Sequence, residues 1–373
     1  MKVGIITFHA SHNYGSMLQA YALSKYIANM GCEVEIVNLR AEKQYKMYPH
    51  PLDFKTRTLK SVVRDFVYNP ILAIESIGKW YKFERFLRLL PLTKEYMSYD
   101  ELNNEHWDYD ALIVGSDQIW NTGCFDWDES FFGNFIPESI RKIAYAPSMG
   151  NAPEVSVDKE LVSRLCKGFF KISVREPRTK LLLNSMGINE DIRVLLDPTL
   201  LLNENDYDDI YDNKPLVKGE YLYFYDPFRR PKYLRLACKI GEIVGLPVVC
   251  DKYYYKSDIK GLQRIKFYIN AGPAEFLNLV KNAKLVCGHS FHSVVFSILF
   301  RKNFYALDGD KDSRMMNLLS LLHLEERAVS LDGTIKLANT PITIYDQVFK
   351  DLESARAMSH DFLCECGFSA VGC

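Results

Sequence analysis

The chain has no apolar run of membrane-spanning length, no long basic tract, and no internal repeat or low-complexity segment. The first absence argues against a helical membrane span. The second, with a net charge of −1, argues against wholesale binding of nucleic acid, and no RNA-binding signature is present. The opening strand is not followed by GxGxxG, the glycine pattern that lets a dinucleotide pyrophosphate approach a helix N-terminus, although nucleotides and small phosphates stay open. Nine cysteines, an odd number, are scattered; only Cys364 and Cys366 lie close together, and they lack a second pair at zinc spacing. Reduced thiols and no metal site are therefore expected. The N-terminus enters a strand directly, without a basic segment and apolar core before it, so the expected location is the cytoplasm.

What is present reads as two α/β units, since 373 residues with 48% hydrophobic content suffice for two sizeable cores. KVGIITF is a short strand, LQAYALSKYIANMG a helix ended by Gly31, and EVEIVNL a second strand. The loop of this βαβ unit holds His9, His12, Asn13, Gly15 and Ser16. Residues 41–100 then turn aromatic and cationic, with eleven Lys or Arg against seven Asp or Glu, and read as a helical insertion. The insertion is either a solvated face with its aromatics turned inward or a surface for a lipid-linked or anionic acceptor, which would make it a peripheral contact at the inner membrane face.

From Tyr109 the strand rhythm returns, and each strand ends in polar residues: Ser116 and Asp117, Ser148, Arg175 and Glu176, Asp197. Any one of these also reads as a helix cap, a turn residue or a local ion pair. Their recurrence at successive strand ends, which point into the crevice of an open α/β sheet, marks a common rim. An acidic stretch near 200–218 separates a second α/β set, giving domains over 1–205 and 206–345 and a helical tail over 346–373. Within the second set, Lys284 to Phe300 runs from an apolar strand into a helix with His289, Ser290 and His292 at the turn. Unpaired N–H groups and the positive helix dipole suit such a turn to an anion, and the histidines add a proton or a hydrogen bond. The cleft between the two domains is the default site.

NYGSMLQAYAL, VGSDQIWN, AYAPSMG, SVRE, LDPTL, GPAEFLNLVKNAKLV, SFHSVVFSILF and KDSRMMNLL follow in the order that resembles polysaccharide pyruvyl transferases, from residue 1 to roughly 330. The resemblance implies a GT-B-like α/β fold of two Rossmann-like domains. It also implies transfer of pyruvyl from phosphoenolpyruvate, the donor substrate, onto two hydroxyls of a sugar acceptor as a cyclic ketal. No cofactor is implied. His292 would be the acid or phosphate ligand and Asp117 would orient or deprotonate the acceptor hydroxyl. Arg175, Arg314, Ser313, Ser290 and His289 would hold the donor, with Asn13, Gly15, Ser16 and Ser116 on the opposite wall. Many members carry Arg-Leu-His at the turn where this chain has Ser290, Phe291 and His292. Three readings follow: His289 replaces the missing charge, the donor binds more weakly, or the donor differs. On the same fold, the rival is a nucleotide-sugar glycosyltransferase, and a further rival is a non-catalytic sugar-binding protein.

Overall fold

Short buried strands alternate with helices to build two parallel sheets, each covered on both faces. The computed structural model describes residues 1–52, 58–151, 157–188, 191–331 and 345–368. The first sheet contains β1 (Lys2–Ile6), β2 (Glu33–Leu39), β3 (Leu92–Tyr96), β4 (Ala111–Val114), β5 (Arg141–Ala144), β6 (Phe169–Val174) and β7 (Arg193–Val194), in the order 3-2-1-4-5-6-7. Its helices are α1 (Tyr14–Asn29), α2 (Glu42–Met47), α3 (Leu59–Tyr68), α4 (Pro70–Leu87), α5 (Tyr99–Asn103), α6 (Lys159–Leu165) and α7 (Pro177–Ser185).

The second sheet orders β8 (Leu222–Tyr225), β9 (Val248–Cys250), β10 (Ile265–Phe267), β11 (Leu285–Gly288), β12 (Asn303–Leu307) and β13 (Ala328–Val329) as 10-9-8-11-12-13. Helices α8 (Pro231–Val244), α9 (Pro273–Asn282), α10 (Phe291–Leu299) and α11 (Ser313–Leu321) accompany it, and α12 (Tyr345–Glu365) ends the described chain. In both sheets the strand order thus reverses between the first and fourth strands, β1 beside β4 and β8 beside β11, all parallel. Those switch points are where an open α/β sheet leaves a crevice at its strand C-termini.

Local chemistry sets the boundaries. The Asn13 side chain accepts a hydrogen bond from the Gly15 amide and caps α1, and Gly31 takes a left-handed φ of 84° just beyond the helix. Pro273 starts α9 at a position where its missing amide costs nothing, while Glu275 reaches back to the Gly272 amide. The insertion is narrower than the span 41–100. Its helices end at Leu87, and β3 pairs with β2 as the edge strand of the first sheet. Tyr96 is buried there, whereas Lys94 and Glu95 face solvent, as suits an edge that must not recruit another strand.

One apolar core joins the two sheets, with Tyr14, Met17 and Leu18 of α1 packed among Phe276 of α9 and Val294 and Val295 of α10. α12 begins against the second domain, where the Tyr345 hydroxyl meets the Lys302 carbonyl, and runs back to the first. There Arg356 donates to the carbonyls of Leu200 and Leu202, and Glu365 pairs with Arg193 at 2.8 Å. Eight cysteines are free thiols, and Cys373 and residues 332–344 lie outside the described residues. No described helix is long and apolar enough to cross a membrane.

Candidate active site between the two sheets

The two switch points face one another across a cleft of about 410 Å³. The first domain contributes Asn13 and Ser16 from the β1–α1 turn, Asp117 from the end of β4, and Asp126 from the loop that follows. The second contributes His289 to His292 from the β11–α10 turn, and Asp312 and Arg314 from the start of α11. Asp117 and Asp126 therefore line one wall; histidines, the Arg314 guanidinium with its partner Asp312, and a helix N-terminus line the other.

On the second-domain wall, the Ser290 side chain makes no capping bond, so the first amides of α10 keep their donors for a ligand. The His292 ring lies in the space that glycine leaves at position 15: a Cβ there would come within 1.9 Å of Nδ1. Its Nε2 is buried without a hydrogen bond, 3.6 Å from Asp197 Oδ2. Burial acts to raise the Asp197 carboxyl, but His292, the Arg175 guanidinium and the Thr199 hydroxyl outweigh it and hold the group well below the usual carboxylate range.

His289 stacks on Tyr233 at 4.6 Å and donates Nδ1–H to the Leu307 carbonyl at 2.7 Å, so Nε2 is left as an acceptor. Burial pushes its imidazole below the ordinary value. Burial thus disfavours the charged form in which this ring would stand in for a turn arginine. The cation on this wall is Arg314, with Nε and Nη2 on Asp312 at 3.0 and 2.6 Å.

Arg175 and His292, from different domains, converge on the same oxygen of Asp197, the guanidinium at 2.8 Å. Arg175 also lies 3.5 Å from Asp117 and 3.9 Å from Glu176, and three carboxylates hold it behind the wall. The Phe291 ring covers it, with Arg175 Cζ 5.0 Å and Arg314 Cζ 6.0 Å from the ring centroid. Arg175 Nε and Nη2 are buried and make no hydrogen bond. The two ionic residues expected on the donor thus differ in place: Arg314 faces the cleft, and Arg175 supports it from behind.

On the first-domain wall, Ser16 Oγ donates to Asp117 Oδ2 at 2.6 Å. Asp117 has φ 69°, a left-handed conformation uncommon outside glycine and held here by its surroundings. Ser116 is fully buried and turns its hydroxyl to the Ala146 carbonyl, away from the cleft. Ser313 is also displaced from it. Its hydroxyl donates to Asn151 Oδ1 at 3.0 Å and ties α11 to the first domain.

Sequence reasoning missed Asp126, whose carboxyl is raised first by burial and then by Asp117. Its loop carries no motif, and only the fold brings it beside Ser11, whose hydroxyl it accepts at 3.2 Å. Tyr48 and Met47 of the insertion were missed for the same reason. Among the described residues, no group of three or more His, Cys, Asp or Glu is placed to hold a metal ion.

An α-glucosyltransferase solved with UDP covers 97% of this chain and 95% of its own at 12% identity and a TM-score of 0.50. A Listeria monocytogenes protein assigned as a UDP-N-acetylglucosamine 2-epimerase covers 96% and 90% at 12% identity and 0.50. The E. coli heptosyltransferase WaaC covers 82% and 88% at 12% identity and 0.38. At such identities the likeness concerns the fold, which is of the GT-B type. No curated protein matches the chain. The model of one family, polysaccharide pyruvyl transferase, matches residues 13–311, which include both walls of the cleft apart from Phe8, Ser11, Asp312 and Arg314; the chain belongs to that family.

Proposed function

We propose that the protein transfers the pyruvyl group of phosphoenolpyruvate to two hydroxyls of one sugar in a surface-polysaccharide precursor, leaving a cyclic ketal and phosphate. The carrying observation is the polarity of the cleft. An anionic donor suits the wall of Arg314, Ser290 and the α10 amides, and sugar hydroxyls suit the wall of Asp117, Asp126, Ser16 and Asn13.

In this reading His292 protonates C3 of the enol phosphate while a hydroxyl oxygen bonds to C2. The C2–O bond to phosphate then breaks, the second hydroxyl closes the ketal, and its proton leaves with the phosphate. A carboxylate of the opposite wall takes the proton of the attacking hydroxyl and makes it available again. Asp197 acts as a positioning residue, its carboxylate 3.6 Å from His292 Nε2. Arg175 fixes Asp197 and Asp117 together.

Phosphoenolpyruvate at about a hundred times its dissociation constant should stabilise the protein by about 2.7 kcal/mol and raise its melting temperature. Stabilisation by nucleotide sugars alone would contradict the donor assignment and favour glycosyl transfer.

We also place a peripheral contact with the inner membrane face on α3 and α4. Val63, Phe66, Val67 and Tyr68 of α3, and Ile71 and Ile74 of α4, are exposed. Lys60 and Lys256 beside them are exposed too, a combination of apolar surface and cations that fits anionic headgroups.

A further inference from the structure

A second chamber of about 310 Å³ adjoins the cleft, and Met47 and Tyr48 line both. One side is the α4 face of the insertion, with Ser76, Lys79, Trp80 and Phe83; the other is second-domain loop, with Arg229 and Lys252. Its charges do not cancel. Glu75 is fully buried and is shared by Lys79, at 3.2 Å, and Arg229, while its other oxygen accepts the Tyr253 amide at 3.0 Å. Asp251, also fully buried, takes the Tyr14 hydroxyl at 2.6 Å and lies 3.7 Å from Lys79. Among the described residues, three cations thus face two carboxylates.

The unmatched cation is Lys252. Its ammonium donates to the Pro227 carbonyl at 2.5 Å and has no ion-pair partner among the described residues. Lys252 is half-buried, and an ammonium partly withdrawn from water without a counter-ion favours the arrival of an anion. Burial pulls Lys252 down to about 8; Lys79 and Arg229 add to this, and Asp251 and Asp226 oppose it. Around the cations stand Trp80, Phe83, Tyr48 and Tyr225, faces broad enough for the apolar side of a sugar ring.

We propose that this chamber is a subsite for a phosphate-type anion carried by the acceptor, held by Lys252, Arg229 and Lys79 while the sugar to be modified reaches past Tyr48 into the cleft. This rests on the pyruvyl-transfer reading for the identity of the neighbouring ligand, but the chamber and its charge do not. The insertion then has a recognition role: α4 supplies one cation and the aromatic wall.

The test titrates inorganic pyrophosphate into the full chain, with and without saturating phosphoenolpyruvate, by calorimetry. Pyrophosphate should bind in both cases. Lys252→Met and Arg229→Gln should each weaken it tenfold or more and leave phosphoenolpyruvate affinity within about twofold. Above pH 8 the affinity should fall, because Lys252 must then take up a proton on binding. Competition between the two anions, or pyrophosphate affinity indifferent to both substitutions, overturns the subsite. Failure of phosphoenolpyruvate to bind while pyrophosphate still does, sensitive to Lys252, removes the pyruvyl reading and leaves the subsite. Glucose 1-phosphate and uridine diphosphate, run on the same variants, separate a phosphate on the sugar from one on its carrier: the correct one loses affinity with Lys252→Met.

Discussion

At the scale of single residues, the site is organised around Asp197, a carboxylate that touches neither solvent nor the cleft. One oxygen accepts from the Thr199 amide and hydroxyl at 3.0 and 2.6 Å, and the other faces Arg175 and His292. Replacing it by Asn leaves Arg175 buried without its nearest counter-charge, which should cost roughly 3 kcal/mol of stability. The sign of the pH dependence follows from the depressed carboxyl. Its contribution is complete above the usual carboxylate range and is lost only as pH falls below it toward the folded-state value. Urea denaturation should therefore show the same gap between wild type and Asp197→Asn at pH 7 and at pH 5; a gap that closes by pH 5 would contradict the ionised network. Asp197 was legible in the sequence as a polar strand end, because LDPTL stops a strand with a turn. Asp126 was not, since its partners lie far away in sequence.

Among the elements, the insertion departs most from its sequence reading. Eleven cations against seven acids suggested a solvated or membrane-facing surface. The fold adds an inward face to α4, with Lys79 toward Asp251 and Lys82 paired with Glu275 at 2.7 Å, so α4 joins the two domains. Net charge along a segment does not tell which cations turn inward. α3 leaves Val63, Phe66, Val67 and Tyr68 exposed as an apolar stripe, which the sequence reading did not single out. If that stripe meets the membrane, Phe66→Ser with Val67→Ser should abolish flotation with vesicles containing anionic lipid and leave the melting temperature nearly unchanged, because both residues are exposed. Flotation that persists in the double variant would assign the stripe another role. The turns at β1–α1 and β11–α10 were readable from sequence because a strand, a polar run and a helix are all local signals. That β3 closes the sheet edge after the insertion was not, since five residues with mixed exposure resemble a loop.

For the molecule as a whole, the sequence supported two Rossmann-like units, and the strand orders show each with its own switch point. What it left open was their mutual placement. Here Gly15 of one domain receives the His292 ring of the other, Tyr14 reaches Asp251, and α12 straps both. The cleft is therefore a product of interdomain packing, with Arg314, Asp312, the histidines and the α10 N-terminus from one half and Asp117 and Asp126 from the other. The most direct measurement of this account is inorganic phosphate release from phosphoenolpyruvate in the presence of a pool of polysaccharide precursors, comparing wild type with His292→Gln. The account predicts acceptor-dependent release that falls by about 10² to 10⁴ in the variant while phosphoenolpyruvate still binds. Equal release by the two proteins would contradict His292 as the acid, and binding of nucleotide sugars without any release would contradict pyruvyl transfer itself.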